Sequence, residues 1–301
     1  MTVPPDPSGV PHERRDDPPT TTGRRRAFRI AYDGRPFHGF QRQPTVPTVE
    51  DAILDALVAL DVVEEGDGHT RPTPPGYAAA GRTDAGVSAL AQTVAFDAPA
   101  WLDPPALNAR LPDGVRAWAH ATVPASFHAT HDATGRAYRY HLSTPPAAAD
   151  CDRARRAIDR FVGRHDFAAL TADDGDTTRR LRRGTVERDG RYLVVTVEAP
   201  GFLRQQVRRL VTVLDAVARG GPLDRLDRVL DPAVAPEGIE PAPPEPLCLV
   251  DVAYPDVAFE RAEDVTPAAT FGRGAIRART RSRVLDGIAE GIGTDADEGA
   301  D

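Results

Sequence analysis

The sequence predicts an α+β fold made of two loosely similar halves, each of ferredoxin-like order. Three observations predict it. Short runs alternate apolar with polar residues, as half-buried strands do. Between them, apolar residues recur at helical spacing behind capping residues and prolines. The order strand–helix–strand–strand–helix–strand up to residue 122 is then loosely repeated. With 301 residues, and roughly 100–200 per domain, about two domains are expected.

The elements follow in order. Residues 1–26 read as a disordered tail ending in Arg24-Arg25-Arg26, which is either a phosphate contact or a solvated junction. Phe28, Ile30 and Tyr32 alternate with Arg29 and Ala31, giving a half-buried strand that ends at the turn pair Asp33-Gly34. Thr48 is a good N-cap for a helix carrying Ala52, Ile53, Ala56, Leu57 and Leu60. Glu64 to Gly76 is a polar loop, Tyr77 to Ala80 a short strand, and Thr93 to Phe96 another. Asp103-Pro104 opens a short helix, with proline where its missing N–H costs nothing. Val115 to Ala121 completes the first half.

In the second half, Ala137 to Leu142 is a strand with Tyr138, Tyr140 and Leu142 on one face and Arg139 and His141 on the other. Asp152 to Val162 is helical, Arg191 to Glu198 a strand, Leu203 to Arg219 a long helix, and Leu247 to Val252 a final strand. Pro232 to Pro246 is a proline-rich loop. From about residue 256 the pattern weakens, and Thr294 to Asp301 is an acidic tail. The expected division is a tail over 1–26, halves over 27–122 and 123–258, and an extension over 259–301.

Composition narrows the function. No apolar run approaches the ~18–20 residues of a membrane-spanning helix, and residues 1–26 hold no signal-peptide core. The expectation is a cytoplasmic protein. Two distant cysteines, Cys151 and Cys248, make neither a disulfide scaffold nor a cysteine-built zinc site. His128 and His131 lack a patterned third ligand, so no metal is expected. There is no phosphate-cradling glycine loop and no dinucleotide fingerprint, so no cofactor is expected. The net charge is −8, and all 37 basic residues are arginine. Codon bias in a GC-rich genome and adaptation to high salt both fit that choice. The acidic balance argues mildly against nucleic acid, but the arginines are clustered.

Four segments carry polar chemistry. Gly81-Arg82-Thr83-Asp84-Ala85-Gly86-Val87 lies between strands. Its glycines permit a tight loop and close approach of a ligand, and Asp84 can sit beside Arg82. An ordinary turn with a locally bonded aspartate is the alternative. Tyr138 and Tyr140 suit base stacking or cross-strand packing. The helix run Arg204-Gln205-Gln206-Val207-Arg208-Arg209 suits a buried pairing with a carboxylate or a solvated face. Arg179-Arg180-Leu181-Arg182-Arg183 suits phosphate contact or plain exposure.

Taken together and in order, these segments resemble the tRNA pseudouridine synthase A family. The resemblance rests on Ala31 to Gly34 with Phe37 to Gln43, on Thr48 to Glu50, and on Ala80 to Val87. It continues through Phe127 to Ala129, Ala133-Thr134 and Arg136 to Tyr140, then Gly163 to Phe167, Phe202 to Arg209 and Leu249 to Pro255. The chain departs from the family pattern at Ser88, Ala91 and Gln206.

The resemblance implies a cofactor-free isomerase that makes pseudouridine in the anticodon stem-loop of tRNA, at about positions 38 to 40. It also implies a pseudouridine synthase fold: two ferredoxin-like halves joined in one sheet, a catalytic cleft between them, and a homodimer. It places Asp84 on the catalytic aspartate, Arg208 on the arginine that pairs with it, and Tyr138 on the tyrosine that stacks on the flipped base. Arg82 would fill the space left by the flipped nucleotide or touch phosphate, and Arg204 would join the arginines lining an RNA groove. Two other classes compete. One is a catalytically silent RNA-binding module. The other is a carboxylate hydrolase, which needs a second acid opposite Asp84, with Asp33 and Asp97 the available residues.

Overall fold

A computed structural model describes residues 24–64, 66, 72–144, 149–231, 238–263 and 268–294. Most of the tail over 1–26, part of the Pro232 to Pro246 loop and the acidic end beyond Thr294 therefore lie outside the described residues.

The first half begins with β1 (Arg24–Tyr32), α1 (Val49–Val58) and β2 (Ala78–Ala79), followed by β3 (Ser88–Ala98), α2 (Pro104–Asn108) and β4 (Val115–Thr122). Both predicted caps are made. Thr48 accepts from the backbone N–H of Asp51 at 3.2 Å, and Asp103 from that of Ala106 at 2.8 Å. The second half runs β5 (Gly135–Ser143), α3 (Cys151–Phe161), β6 (Gly163–Asp166), β7 (Thr178–Leu181), β8 (Arg183–Asp189) and β9 (Tyr192–Ala199). It continues with α4 (Gln206–Ala218), α5 (Asp224–Leu230) and β10 (Leu247–Ala253). A short β11 (Glu260–Arg261) and a long α6 (Arg273–Thr294) follow.

One sheet joins the halves, in the order β11-β4-β1-β3-β10-β5-β9-β8, with β2 also on β3; β6 and β7 form a separate pair. Within each half the four main strands lie in the same order: β4-β1-β3-β2 in the first and β10-β5-β9-β8 in the second. This is the arrangement that the resemblance implies, two halves of ferredoxin-like strand order joined in one sheet. The halves meet where β10 runs parallel to β3, pairing Cys248 with Ser88 and Leu249 with Ala89. Among the described residues every other pairing is antiparallel. One apolar cluster packs α1 and α2 on the first half, with Phe28, Ile53, Leu57 and Phe96 fully enclosed. A second packs α3 and α4 on the other half through Ile158, Phe161, Val211 and Leu214. Tyr138 touches both clusters.

Two readings of the basic residues are corrected. Arg24-Arg25-Arg26 belongs to β1 rather than to the tail. Arg25 pairs with Asp97 at 2.7 Å and donates to the Phe127 carbonyl, while Arg26 is buried and donates to the carbonyls of Ala100 and Leu102. Arg29, read as the solvent side of β1, is buried as well. Its guanidinium donates to the carbonyls of Ala91 and Val252 and lies 4.3 Å from the Phe259 ring centre. Carbonyl dipoles and an aromatic face replace the lost water.

Candidate active site

The loop from Gly81 to Val87 ends at the seam of the halves, because Ser88, the next residue, already pairs with β10. A second loop, from Asp33 to Gln43, braces it. Phe40 N–H donates to the Thr83 carbonyl at 3.0 Å and Gly86 N–H to the Phe37 carbonyl at 3.2 Å. The buried Tyr32 hydroxyl bonds the Thr83 hydroxyl at 2.7 Å, and Gln92 holds the Gly81 carbonyl at 2.8 Å. Close approach demands glycine at two places. A Cβ on Gly34 would lie 2.1 Å from the Val87 carbonyl oxygen, and one on Gly39, at φ +97°, would lie 2.9 Å from that of Thr83. Of the two loop glycines singled out in the sequence, Gly86 takes φ +81°. Gly81 does not take a positive φ and has open space around it.

Two departures from the family pattern are absorbed locally. The Ser88 hydroxyl accepts from Gly34 N–H at 3.0 Å, tying the two loops together. Gln206, buried in the first turn of α4, turns back to accept from Leu203 N–H at 2.8 Å. That bond satisfies a donor just ahead of the helix, where Gln205 sits in left-handed conformation at φ +57°.

The braced loop presents Asp84 to the second half. Arg208, in the first turns of α4, reaches its carboxylate at 3.1 Å, Nη1 to Oδ2. The arginine side chain is 11 % exposed and the aspartate 31 %, so the pair is sheltered on the arginine side and open on the carboxylate side. Arg208 Nε donates to the Ala242 carbonyl at 2.6 Å, which fixes the guanidinium plane. The partner of Asp84 is thus Arg208, on another half of the molecule. Arg82, its neighbour in sequence, is exposed and has no ion pair among the described residues.

Tyr138 is the third member. Its ring meets Phe202 edge to face, centres 5.2 Å apart. Its hydroxyl makes no hydrogen bond among the described residues. Burial pushes the phenol up to about 12, and the Asp84 charge pushes the same way, which puts the ring within electrostatic reach of that carboxylate. Tyr140 is different. It is buried in the second cluster and donates to the Pro243 carbonyl at 3.1 Å. Tyr140 belongs to one core cluster, whereas Tyr138 packs against both and lies within electrostatic reach of Asp84.

Arg204 is exposed just before α4, and only its backbone is engaged, its N–H bonding Asp173 at 2.8 Å. Arg164, Arg179 and Arg180 line a hollow of about 240 Å³ beside Pro200 and Gly201, next to Phe202. A larger hollow of about 710 Å³ contains Arg139 and His141, so it opens on the sheet face opposite Tyr138.

Arg136 is a residue whose role the sequence did not disclose. It donates to the carbonyls of Ala80, Thr130, Ala133 and Pro200, tying β5 to the stem of the Asp84 loop. The available signal was an arginine two residues from Tyr138 inside a matching motif. Asp33 and Asp97, the acids available for a hydrolase, are engaged by Arg35 and Arg25. Among the described residues no three His, Cys, Asp or Glu side chains gather as metal ligands, and no helix is long and apolar enough to cross a membrane.

Comparison with known proteins gives the family. Residues 157–255 match the family model described as tRNA pseudouridine synthase. The tRNA pseudouridine synthase A of Haloarcula marismortui is 52% identical over 282 residues, covering 89% of this chain and all of that protein. That of Natronomonas pharaonis is 56% identical over 264 residues, covering 87% and 96%. That of Methanosarcina acetivorans is 40% identical over 233 residues, covering 76% and 84%. The chain belongs to the tRNA pseudouridine synthase A family, isomerases that convert uridine to pseudouridine.

Proposed function

We propose that the chain isomerises uridine in the anticodon stem-loop of tRNA, at about positions 38 to 40, with Asp84 as nucleophile. The observation that carries this reading is the Arg208–Asp84 pair at the seam, with Tyr138 beside it.

A uridine inside a stem hides its glycosidic bond in the stack, so it is flipped out at a cost of a few kcal/mol. The Asp84 carboxylate has two electrophilic carbons to attack, C1′ of the ribose and C6 of the uracil ring. By the first route the C1′–N1 bond breaks, its electron pair leaves with uracil, and a C1′–O bond forms. The ring turns, C5 bonds to C1′, and the carboxylate departs. By the second route the carboxylate adds at C6, the C1′–N1 bond breaks, the ring turns while tethered there, C5 bonds to C1′, and the C6–O bond then breaks to release the carboxylate. Either way C5 loses a proton, N1 gains one, and nothing is consumed.

Arg208 orients the carboxylate and balances its charge when it returns. The Tyr138 ring stacks on the flipped base and keeps detached uracil from diffusing away. Arg82 occupies the gap left in the helix or contacts phosphate, and Arg204 with the arginines around Gly201 lines the RNA path. The enzyme works in the cytoplasm as a homodimer, one tRNA spanning both subunits.

The test is to map pseudouridine in unmodified tRNA transcripts, and in transcripts with cytidine at position 38, 39 or 40. New pseudouridine confined to the anticodon stem-loop is expected. Product in another stem overturns the position, and tRNA binding without product at any salt leaves the silent RNA-binding module.

A further inference from the structure

Past the last sheet strand the chain forms α6, whose described residues from 275 to 292 are all exposed. Its first half, Arg273 to Arg283, carries five arginines (273, 277, 279, 281 and 283) and no acid, in a protein of net charge −8. None of the five has an ion pair among the described residues.

This arrangement opposes the helix when it stands alone. Arg273 and Arg277, Arg277 and Arg281, and Arg279 and Arg283 are like-charged pairs four apart, which destabilise a helix. The first turn holds an arginine and no acid, so its charge meets the positive end of the helix dipole. Gly274, Gly287 and Gly291 weaken the helix further. Intrahelical chemistry gives no reason for the arginines. A polyanion relieves the charge penalties, because phosphates between the guanidiniums turn the repulsions into bidentate contacts.

The arginines fall in two files. At 100° per residue, Arg273, Arg277 and Arg281 share one side, and Arg279 and Arg283 lie roughly 140° away. The set spans about 15 Å of axis. Charge on two sides of one rod fits a groove with phosphates along both walls. Arginine-rich segments that order on RNA have this composition.

We propose that α6 is an auxiliary RNA-binding arm, its Arg273 to Arg283 half laid along the phosphates of a duplex arm of the substrate tRNA. The proposal rests on the tRNA reading above. The apolar residues Val284, Leu285, Ile288 and Ile292 on the second half are also exposed. They would suit a second copy of the chain, which the experiment separates from RNA.

The experiment uses the full chain with all five arginines changed to glutamine, beside a second variant with all five changed to lysine. It measures equilibrium binding of unmodified tRNA transcript from about 0.1 to 2 M salt, kcat and KM for pseudouridine formation, and sedimentation mass. Losing up to five phosphate contacts should flatten the slope of log K against log salt by about 3 to 4 and raise Kd at least ~10-fold at low salt. KM should rise with Kd while kcat stays within about twofold. The lysine variant should keep the slope, because phosphate contact by a point charge survives.

An unchanged slope and Kd in the glutamine variant overturns the arm. So does a lighter sedimenting species with an unchanged slope, which assigns α6 to a second copy. If the wild type makes no pseudouridine, the reading beneath the proposal has failed. If it does and the slope is unchanged, the arm alone has failed.

Discussion

The two halves share a strand order and differ where their second strand meets their third. In the second half, β8 is seven residues long, and Gly190 and Arg191 alone turn it into β9. Gly190 takes the positive φ that a tight hairpin of this kind needs. In the first half, β2 is two residues long, and the chain from Ala80 to Val87 replaces the hairpin. The shortened strand leaves the Ser88 end of β3 unpaired, and β10 takes that edge. One change thus frees a loop for Asp84 and also brings the second half to meet it. On the proposed reading, the complete hairpin serves as scaffold and the shortened one carries the chemistry.

If the site is shared across the seam in this way, residues of the scaffold half should control chemistry carried by the other. The largest such effect is expected for Arg208→Met. It should slow single-turnover pseudouridine formation about 10²–10³-fold, or about 3–4 kcal/mol, while tRNA affinity stays within a few-fold. An equal loss in affinity and rate would make Arg208 a binding residue only.

Tyr138 sharpens the comparison with Tyr140. Tyr138→Phe should remain within a few-fold of wild type, since its hydroxyl makes no hydrogen bond among the described residues. Tyr138→Leu should lose stacking of about 1–3 kcal/mol, some 10–100-fold in rate. Tyr140→Leu should instead lower the melting temperature, because that ring packs the core.

Glycine substitutions separate the braced loop from free backbone. Gly34→Ala drives a Cβ into the Val87 carbonyl and should cost about 1–3 kcal/mol in denaturant unfolding. Gly81→Ala meets nothing and should stay within about 0.5 kcal/mol. Equal effects would mean that the two loops are not interlocked.

The smallest effect is pH-dependent and common to both halves. Burial raises the phenols of Tyr138, Tyr140 and Tyr254 to about 12, against 10 when exposed. Below pH 10 both folded and unfolded chains keep these protons. Above it the unfolded chain ionises first, so stability should fall between about pH 10 and 12. Thermal melts across that window should show the loss, and a flat melting temperature would contradict the buried placement.

How much of this was legible in the sequence depended on whether a residue's partner was local. Thr48 and Asp103 cap helices within three residues, and the alternation of β1, β4 and β5 is written along each strand. The same alternation made Arg29 look exposed, since its acceptor Val252 lies 223 residues away. Strand β8 escaped because Val186 is its one buried residue, and its arginines and acids hide the period. Helix α6 escaped because glycines and like charges contradict helix propensity. At the site, the Asp84 loop was visible as glycines around charge. Its partner was not visible from spacing, because Arg208 is 124 residues away and Arg82 is adjacent. The family resemblance supplied the pairing that spacing left open, and the only signal for Arg136 was its place in the motif that holds Tyr138.

The most direct test is single-turnover pseudouridine formation by Asp84→Ala, with tRNA binding measured on the same preparation. The account predicts a rate at least about 10⁴-fold below wild type, with tRNA still bound within a few-fold. Product formed at a rate near that of the wild type would contradict it, and would place the nucleophile elsewhere in the cleft.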